Sequence, residues 1–345
     1  MRCIYCFETK TPADCNREHV IPEAFGRFRD SIVLHQLVCT DCNSYFGATL
    51  DHHLARRSPE GLERYGWGIK SASEAAKFQY GDTLIEVELG DEGWSGALVR
   101  RVPGPELGET FIELLPQVAF PRLDGNGMKS FDETQVRRGD WRADPSIAAF
   151  DAKEIRILAP DDDSYARLRQ SLADQGISFR EEREVGLPRL QPCEEVTVHQ
   201  RFVLSPTMKR ALAKIAFNYL ASVDPASALL AGFDPVRRYI RWGTEPAVPI
   251  VHLVRYTRLG IVDGEGRVPV GHYVTREKAL QDRAVLAHLS LFQWATYLVV
   301  LAHEVPRTLQ GVPSGRFFNL KDMTAYQIGP GSPPDHTLRG PDDHE

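Results

Sequence analysis

Cys3-Ile4-Tyr5-Cys6, Glu18-His19 and Cys39-Thr40-Asp41-Cys42-Asn43 are the three pieces of sequence that decide the fold of the N-terminal region. A Cys-x-x-Cys spacing sets two thiols on one tight turn, where both can face the same ion. Two such pairs supply the four thiolates that tetrahedral Zn²⁺ takes. Cys3, Cys6, Cys39 and Cys42 are therefore read as a structural zinc site. A stretch this short buries too little apolar surface to fold well alone, and a bound ion supplies the missing stability. Between the pairs, an acid stands directly before an imidazole.

The whole chain has 345 residues, enough for two or three domains. Its apolar share of 42% and charged share of 26% are those of an ordinary globular protein. A net charge of -6 excludes attachment to nucleic acid by bulk positive charge, so any such contact has to come from a local patch and a cation. Of the six cysteines, the remaining Cys15 and Cys193 read as bystander thiols. Closely paired cysteines without a secretory signal point to a reducing compartment, and the expectation is a cytoplasmic protein with no membrane contact. The most apolar run, around Trp294 to Ala302, is too short to span a bilayer.

Three stretches, taken in order, carry a family resemblance: Cys-Ile-Tyr-Cys; Arg-Glu-His-Val-Ile-Pro-Glu-Ala-Phe-Gly; and Gln-Leu-Val-Cys-Thr-Asp-Cys-Asn-Ser-Tyr-Phe-Gly-Ala-Thr-Leu-Asp. Residues 1–55 resemble the HNH endonuclease family, in the subgroup where two Cys pairs hold a zinc beneath a ββα-metal, treble-clef-like fold. The resemblance implies a metal-dependent hydrolase of DNA phosphodiester bonds. His19 matches the general base, suited to it because an imidazole titrates near neutrality. Glu18 and Asn43 match the positions that hold a catalytic divalent cation, Mg²⁺ or a similar ion that prefers oxygen ligands. The family more often places Asp before the base, so Glu18 is a longer-armed variant. The Asn that orients the base, three residues before the second Cys pair, is here Gln36, flanked by His35. Asp51, two helical turns past Asn43, reads as structural before it reads as a further cation ligand.

The expected fold class is α+β, with a small zinc-bound ββα-metal module at 1–57 followed by a larger mixed domain at 76–328. A linker at 58–75 and a disordered tail at 329–345 complete the division. Val33 to Val38 reads as a strand and Asn43 to Leu54 as the helix after the second Cys pair, with Gly26 and Arg27 to Ser31 as loop. Arg56, Arg57 and Arg64, around a Ser58-Pro59 break, form a basic cluster that reads equally as a phosphate contact and as a solvated linker. Farther on, Leu84–Leu89, Thr110–Leu115, Ile155–Leu158, Val196–Val203, Pro249–Tyr256, Val268–Val274 and the run Leu286–Leu301 read as strands. Asp161 caps a helix that ends at Gly176, and Ile177-Ser178-Phe179 returns as strand to complete a β-α-β unit. Ser205-Pro206 opens the strongest helix, with Met208, Leu212, Ile215, Ala216 and Tyr219 on one face. His52 and His53 read as solvated, and His199, His252 and His272 as structural.

DNA is the expected partner. The large C-terminal domain reads as a sensor or specificity domain that controls the nuclease, as in a defence-type effector, through a regulatory ligand or partner. Homo-oligomerisation stays open. The competing reading is a non-catalytic zinc module that docks nucleic acid or protein, in which Glu18-His19 is a packed loop dipeptide or His19 replaces one Cys on the zinc.

Overall fold

The computed structural model describes residues 1–70, 85–89, 96–103, 110–150, 154–177, 198–202, 204–255, 270–279, 284–293, 295–305 and 314–328. Contacts group the chain into two compact units, one of Met1–Arg56 with Leu204–Glu345 and one of Arg57–Val203. The sequence divides at residue 57 into module and larger domain; by contacts the zinc module groups with the last third of the chain. Cys193 and the tail 329–345 lie outside the described residues.

In the first unit, β1 (Glu18–His19) pairs antiparallel with β2 (Val33–Leu34), Glu18 opposite Leu34 and His19 opposite Val33. The strand expected to run to Val38 stops early because Gln36 takes a left-handed conformation (φ 58°), which turns the chain toward Cys39. Helix α1 (Thr40–Phe46) continues through one wide π-type turn at Gly47–Asp51 into α2 (His52–Arg56), two residues beyond the expected end. The loop between the strands is anchored. Gly26 has φ 132°, and a Cβ there would meet the Phe28 ring at 2.8 Å. Phe28 in turn packs edge-on against His272 and Phe318.

The second unit begins with α3 (Pro59–Gly66). Ser58 caps it by accepting from the Gly61 N–H, and Pro59 starts the first turn. The expected linker is thus helical over these residues, and Arg64 is buried within it rather than part of an exposed basic cluster. Three antiparallel groups follow: β3 (Ile85–Leu89) with β9 (Val198–Phe202), the hairpin β4 (Val99–Pro103) with β5 (Thr110–Leu114), and β6 (Gln117–Pro121) flanked by β7 (Met128–Asp132) and β8 (Arg156–Leu158). Helices α4 (Glu133–Arg138) and α5 (Asp162–Asp174) close a core of Val118, Phe120, Phe131, Val136, Trp141, Leu168 and Leu172. Asp161 caps α5 as expected; Ser178 and Phe179, needed for the returning strand, lie outside the described residues.

The first unit resumes with α6 (Pro206–Val223), capped by the Ser205 side chain at the Met208 N–H, and α7 (Asp234–Trp242). Strands β10 (Val251–Arg255), β11 (Gly271–Ala279), β12 (Ala284–Ser290), β13 (Thr296–Ala302), β14 (Ser314–Asn319) and β15 (Thr324–Ile328) form one antiparallel sheet in the order β10-β13-β12-β11-β14-β15. Residues 211–221 of α6 are buried without interruption. A helix buried on every side lies between two layers: α6 packs on β11, β12 and β13 and also against the α1–α2 helix and β2. His53, expected in solvent, instead hydrogen-bonds Ser205 Oγ at 3.0 Å.

His272 on β11 is fully buried, with Nε2 2.9 Å from the Phe25 carbonyl and Nδ1 accepting from the Phe292 N–H at 2.9 Å. Burial pushes its pKa down to about 4, against the Phe25 carbonyl bond. The unfolded chain binds this proton near pH 6.5 and the folded chain only near pH 4, so stability is complete above about 6.5 and falls as the pH drops through that window. The shift corresponds to about 3 kcal/mol. Denaturant unfolding at pH 7 and pH 4.5 is expected to show this loss in the parent, and His272→Gln to flatten it; an equal pH slope in both proteins contradicts the assignment.

Candidate metal centre and active site

The four cysteines converge. The sulfurs of Cys3, Cys6, Cys39 and Cys42 all lie within 4.8 Å of one another, and those of Cys6 and Cys39 are 3.7 Å apart. Zn–S bonds of about 2.3 Å in a tetrahedron put sulfurs roughly 3.8 Å apart, so the donor set fits a metal ion of zinc's size. The thiolate is favoured at Cys3, while burial pushes the Cys6 thiol up to about 11 and the hydrogen bond to Cys3 holds the Cys42 thiol well above its ordinary range. The Cys39 N–H points at Cys3 Sγ (3.4 Å), and a hydrogen bond from Cys42 together with backbone N–H groups draws the Cys3 thiol down to about 4 despite its burial. Cys15 stands apart, its Sγ directed at Met1 Sδ (3.3 Å).

Helix α7 braces this centre. Arg241 stacks its guanidinium 4.4 Å over the Tyr45 ring, and its positive charge draws the Cys42 thiol down against the larger upward pull of Cys3 and burial. Arg237, buried, lies 4.4 Å over the Phe7 ring, and Trp242 stacks on Phe7. Directly after the second Cys pair, the Asn43 side chain donates to the Arg17 carbonyl at 2.9 Å. The first turn of α1 is thereby tied to the residue just ahead of Glu18-His19.

Successive strand residues face opposite ways, and burial follows that rule. Glu18 is 3% exposed. Its Oε1 accepts from Lys214 Nζ at 2.7 Å and from Asn218 Nδ2 at 2.8 Å, both on α6. No donor among the described residues reaches Oε2. The same Asn218 amide reaches the His19 carbonyl (3.3 Å), and its oxygen accepts from Tyr5 Oη (2.6 Å). Lys214 also meets Asp51, at 2.8 Å, which makes Asp51 a partner in a buried ion cluster. Burial alone would lower the Lys214 pKa, but the Asp51 and Glu18 carboxylates outweigh it and hold the ammonium above its ordinary value.

The His19 ring points the other way and its side chain keeps 20% exposure, with Nε2 3.5 Å from Glu23 Oε1. Burial of part of the ring holds its pKa below the usual histidine value, the Glu23 carboxylate opposing this. The imidazole is therefore neutral at pH 7, able to accept a proton. Gln36 and His35 are both exposed past the end of β2. Sequence reasoning missed Lys214 and Asn218. The available signal was an ammonium and an amide four residues apart inside an otherwise apolar helix, Lys214-Ile215-Ala216-Phe217-Asn218.

No helix among the described residues is long and apolar enough to cross a membrane. Neither the curated proteins nor the solved structures contain a significant match to the chain. Residues 3–59, the segment that carries the cysteine cluster and Glu18-His19, match the family model of the HNH endonucleases.

Proposed function

We propose that the chain is a metal-dependent endonuclease that hydrolyses DNA phosphodiester bonds at the site built on Glu18-His19. The observation that carries this reading is the His19 imidazole, neutral and partly open to solvent, inside the segment that matches the nuclease family. His19 takes a proton from a water whose oxygen attacks phosphorus; the bond from phosphorus to the leaving oxygen breaks, and that oxygen is protonated from solvent. Glu18, through Oε2, and Asn43 would hold a divalent cation, which when bound offsets the negative charge that builds on the phosphate oxygens. Asn43 keeps the loop in place through the Arg17 carbonyl. Gln36, exposed at the end of β2, has the amide to orient the base or meet DNA. The four-cysteine centre holds zinc as a structural ion, and the region 76–328 is where a regulatory ligand or partner would act.

A second reading has its own support. Glu18 is inward and its Oε1 is occupied by two donors, as suits a packed zinc module that docks nucleic acid or protein without cutting. Supercoiled plasmid incubated with zinc-loaded, full-length protein and Mg²⁺, Mn²⁺, Ca²⁺ or no added ion separates the two. Nicked or linear products that depend on the added ion are expected; intact plasmid under every ion, with DNA retained on the protein, selects the docking module.

A further inference from the structure

Helix α6 is apolar on nearly every side, yet Lys214 and Asn218 stand fully buried one turn apart on it. Lys214 Nζ lies 2.7 Å from Glu18 Oε1 and 2.8 Å from both carboxylate oxygens of Asp51. Oxygens of two acidic side chains gathered round one positive centre are what a small divalent cation would also collect. Such a buried cluster is weak as a stability device, because removing its charged groups together and packing apolar residues in their place is often neutral or stabilising. It does fix geometry. Glu18 cannot swing without abandoning two donors, and Asn218 holds the carboxylate of Glu18 and the backbone of His19 with one amide. Tyr5, in the first Cys-x-x-Cys turn, orients that amide from its oxygen side.

We propose that Lys214 is a resident cation standing between Glu18 and Asp51, and that Lys214 and Asn218 are positioning residues for the Glu18-His19 pair. Its catalytic consequence rests on the nuclease reading above; its electrostatic consequence does not. With the ammonium in place, the inner side of Glu18 is closed to a metal ion and Oε2 alone is left for one. Without it, the buried Glu18 carboxylate and the half-buried Asp51 carboxylate face an empty position.

The test uses zinc-loaded, full-length protein and Mn²⁺ as the probe, read by the loss of the free-ion electron paramagnetic resonance signal and by thermal melts. Lys214→Ala is expected to bind Mn²⁺ at least about tenfold tighter than the parent, and its melting temperature is expected to rise with Mn²⁺ by more than the parent's does. Should Lys214→Ala fail to fold, the same comparison is made between Asp51→Asn and the double variant Lys214→Ala/Asp51→Asn, which carries the parent's net charge in the cluster. Mn²⁺ affinity unchanged on loss of the ammonium, with zinc content intact, overturns the proposal. In plasmid cleavage the double variant is expected to lose about 10–100-fold in kcat with little change in KM for DNA; an unchanged kcat overturns the positioning role. A parent that cuts under no ion removes the nuclease reading and leaves the Mn²⁺ comparison to decide on Lys214.

Discussion

Cys39→Ser is expected to abolish metal binding and unfold the N-terminal segment. A structural zinc site in a small module is worth about 10–16 kcal/mol at neutral pH, as large as the whole stability of a typical domain, about 5–15 kcal/mol. Cys39 is central to the cluster: its sulfur lies 3.7 Å from Cys6, and its N–H points at the sulfur of Cys3. The damage should spread, because Tyr5, Glu18 and Asp51 are the groups that satisfy Asn218 and Lys214 on α6. Freed of those partners, a fully buried ammonium and amide remain inside the helix that the six-stranded sheet packs on. Zinc content by atomic absorption and a circular-dichroism melt check this. Cys15→Ser is the control: its thiol faces Met1, outside the cluster, so zinc content and melting are expected to stay at the parent's values.

His19→Ala is expected to lower plasmid cleavage by about 10²–10⁴-fold, the range that loss of a general base produces. Folding should survive. Among the described residues the ring makes no buried hydrogen bond, and it is the backbone carbonyl of His19, which the substitution keeps, that reaches Asn218. The variant therefore separates chemistry from architecture. Zinc content and melting temperature unchanged, with cleavage gone, assign the proton transfer to His19. Retained cleavage at the parent's rate takes His19 out of the mechanism.

The local signals in the sequence were legible where a few neighbouring residues determine the outcome. Two Cys-x-x-Cys turns specify a metal cluster because each turn fixes its own pair of sulfurs, and they came together as expected. Ser205-Pro206 specifies a helix start through one side-chain bond and one fixed φ, and it does so here. The same physics operates at Ser58-Pro59, where the pair reads as a break; the apolar residues that follow it, Leu62 and Tyr65, were the signal that a helix begins. Gln36 shows the opposite limit. Its left-handed backbone cuts β2 short, and no feature of the residue itself announces that. Least legible were the partners of Glu18. Lys214 and Asn218 lie 196 and 200 positions away in sequence, and only the burial of α6 between two layers brings them to the site. A charged residue inside an apolar helix signals that a partner exists; it does not say which one.

Everything at the site depends on four sulfurs, and no imidazole, holding the structural ion, since a histidine bound to zinc cannot accept a proton from water. X-ray absorption at the zinc edge of the purified, full-length protein measures this directly. Four sulfur ligands at about 2.3 Å are the expected result. A shell of three sulfurs and one nitrogen at about 2.0–2.1 Å that reverts to four sulfurs in His19→Ala would contradict it, and with it the role of His19 as base.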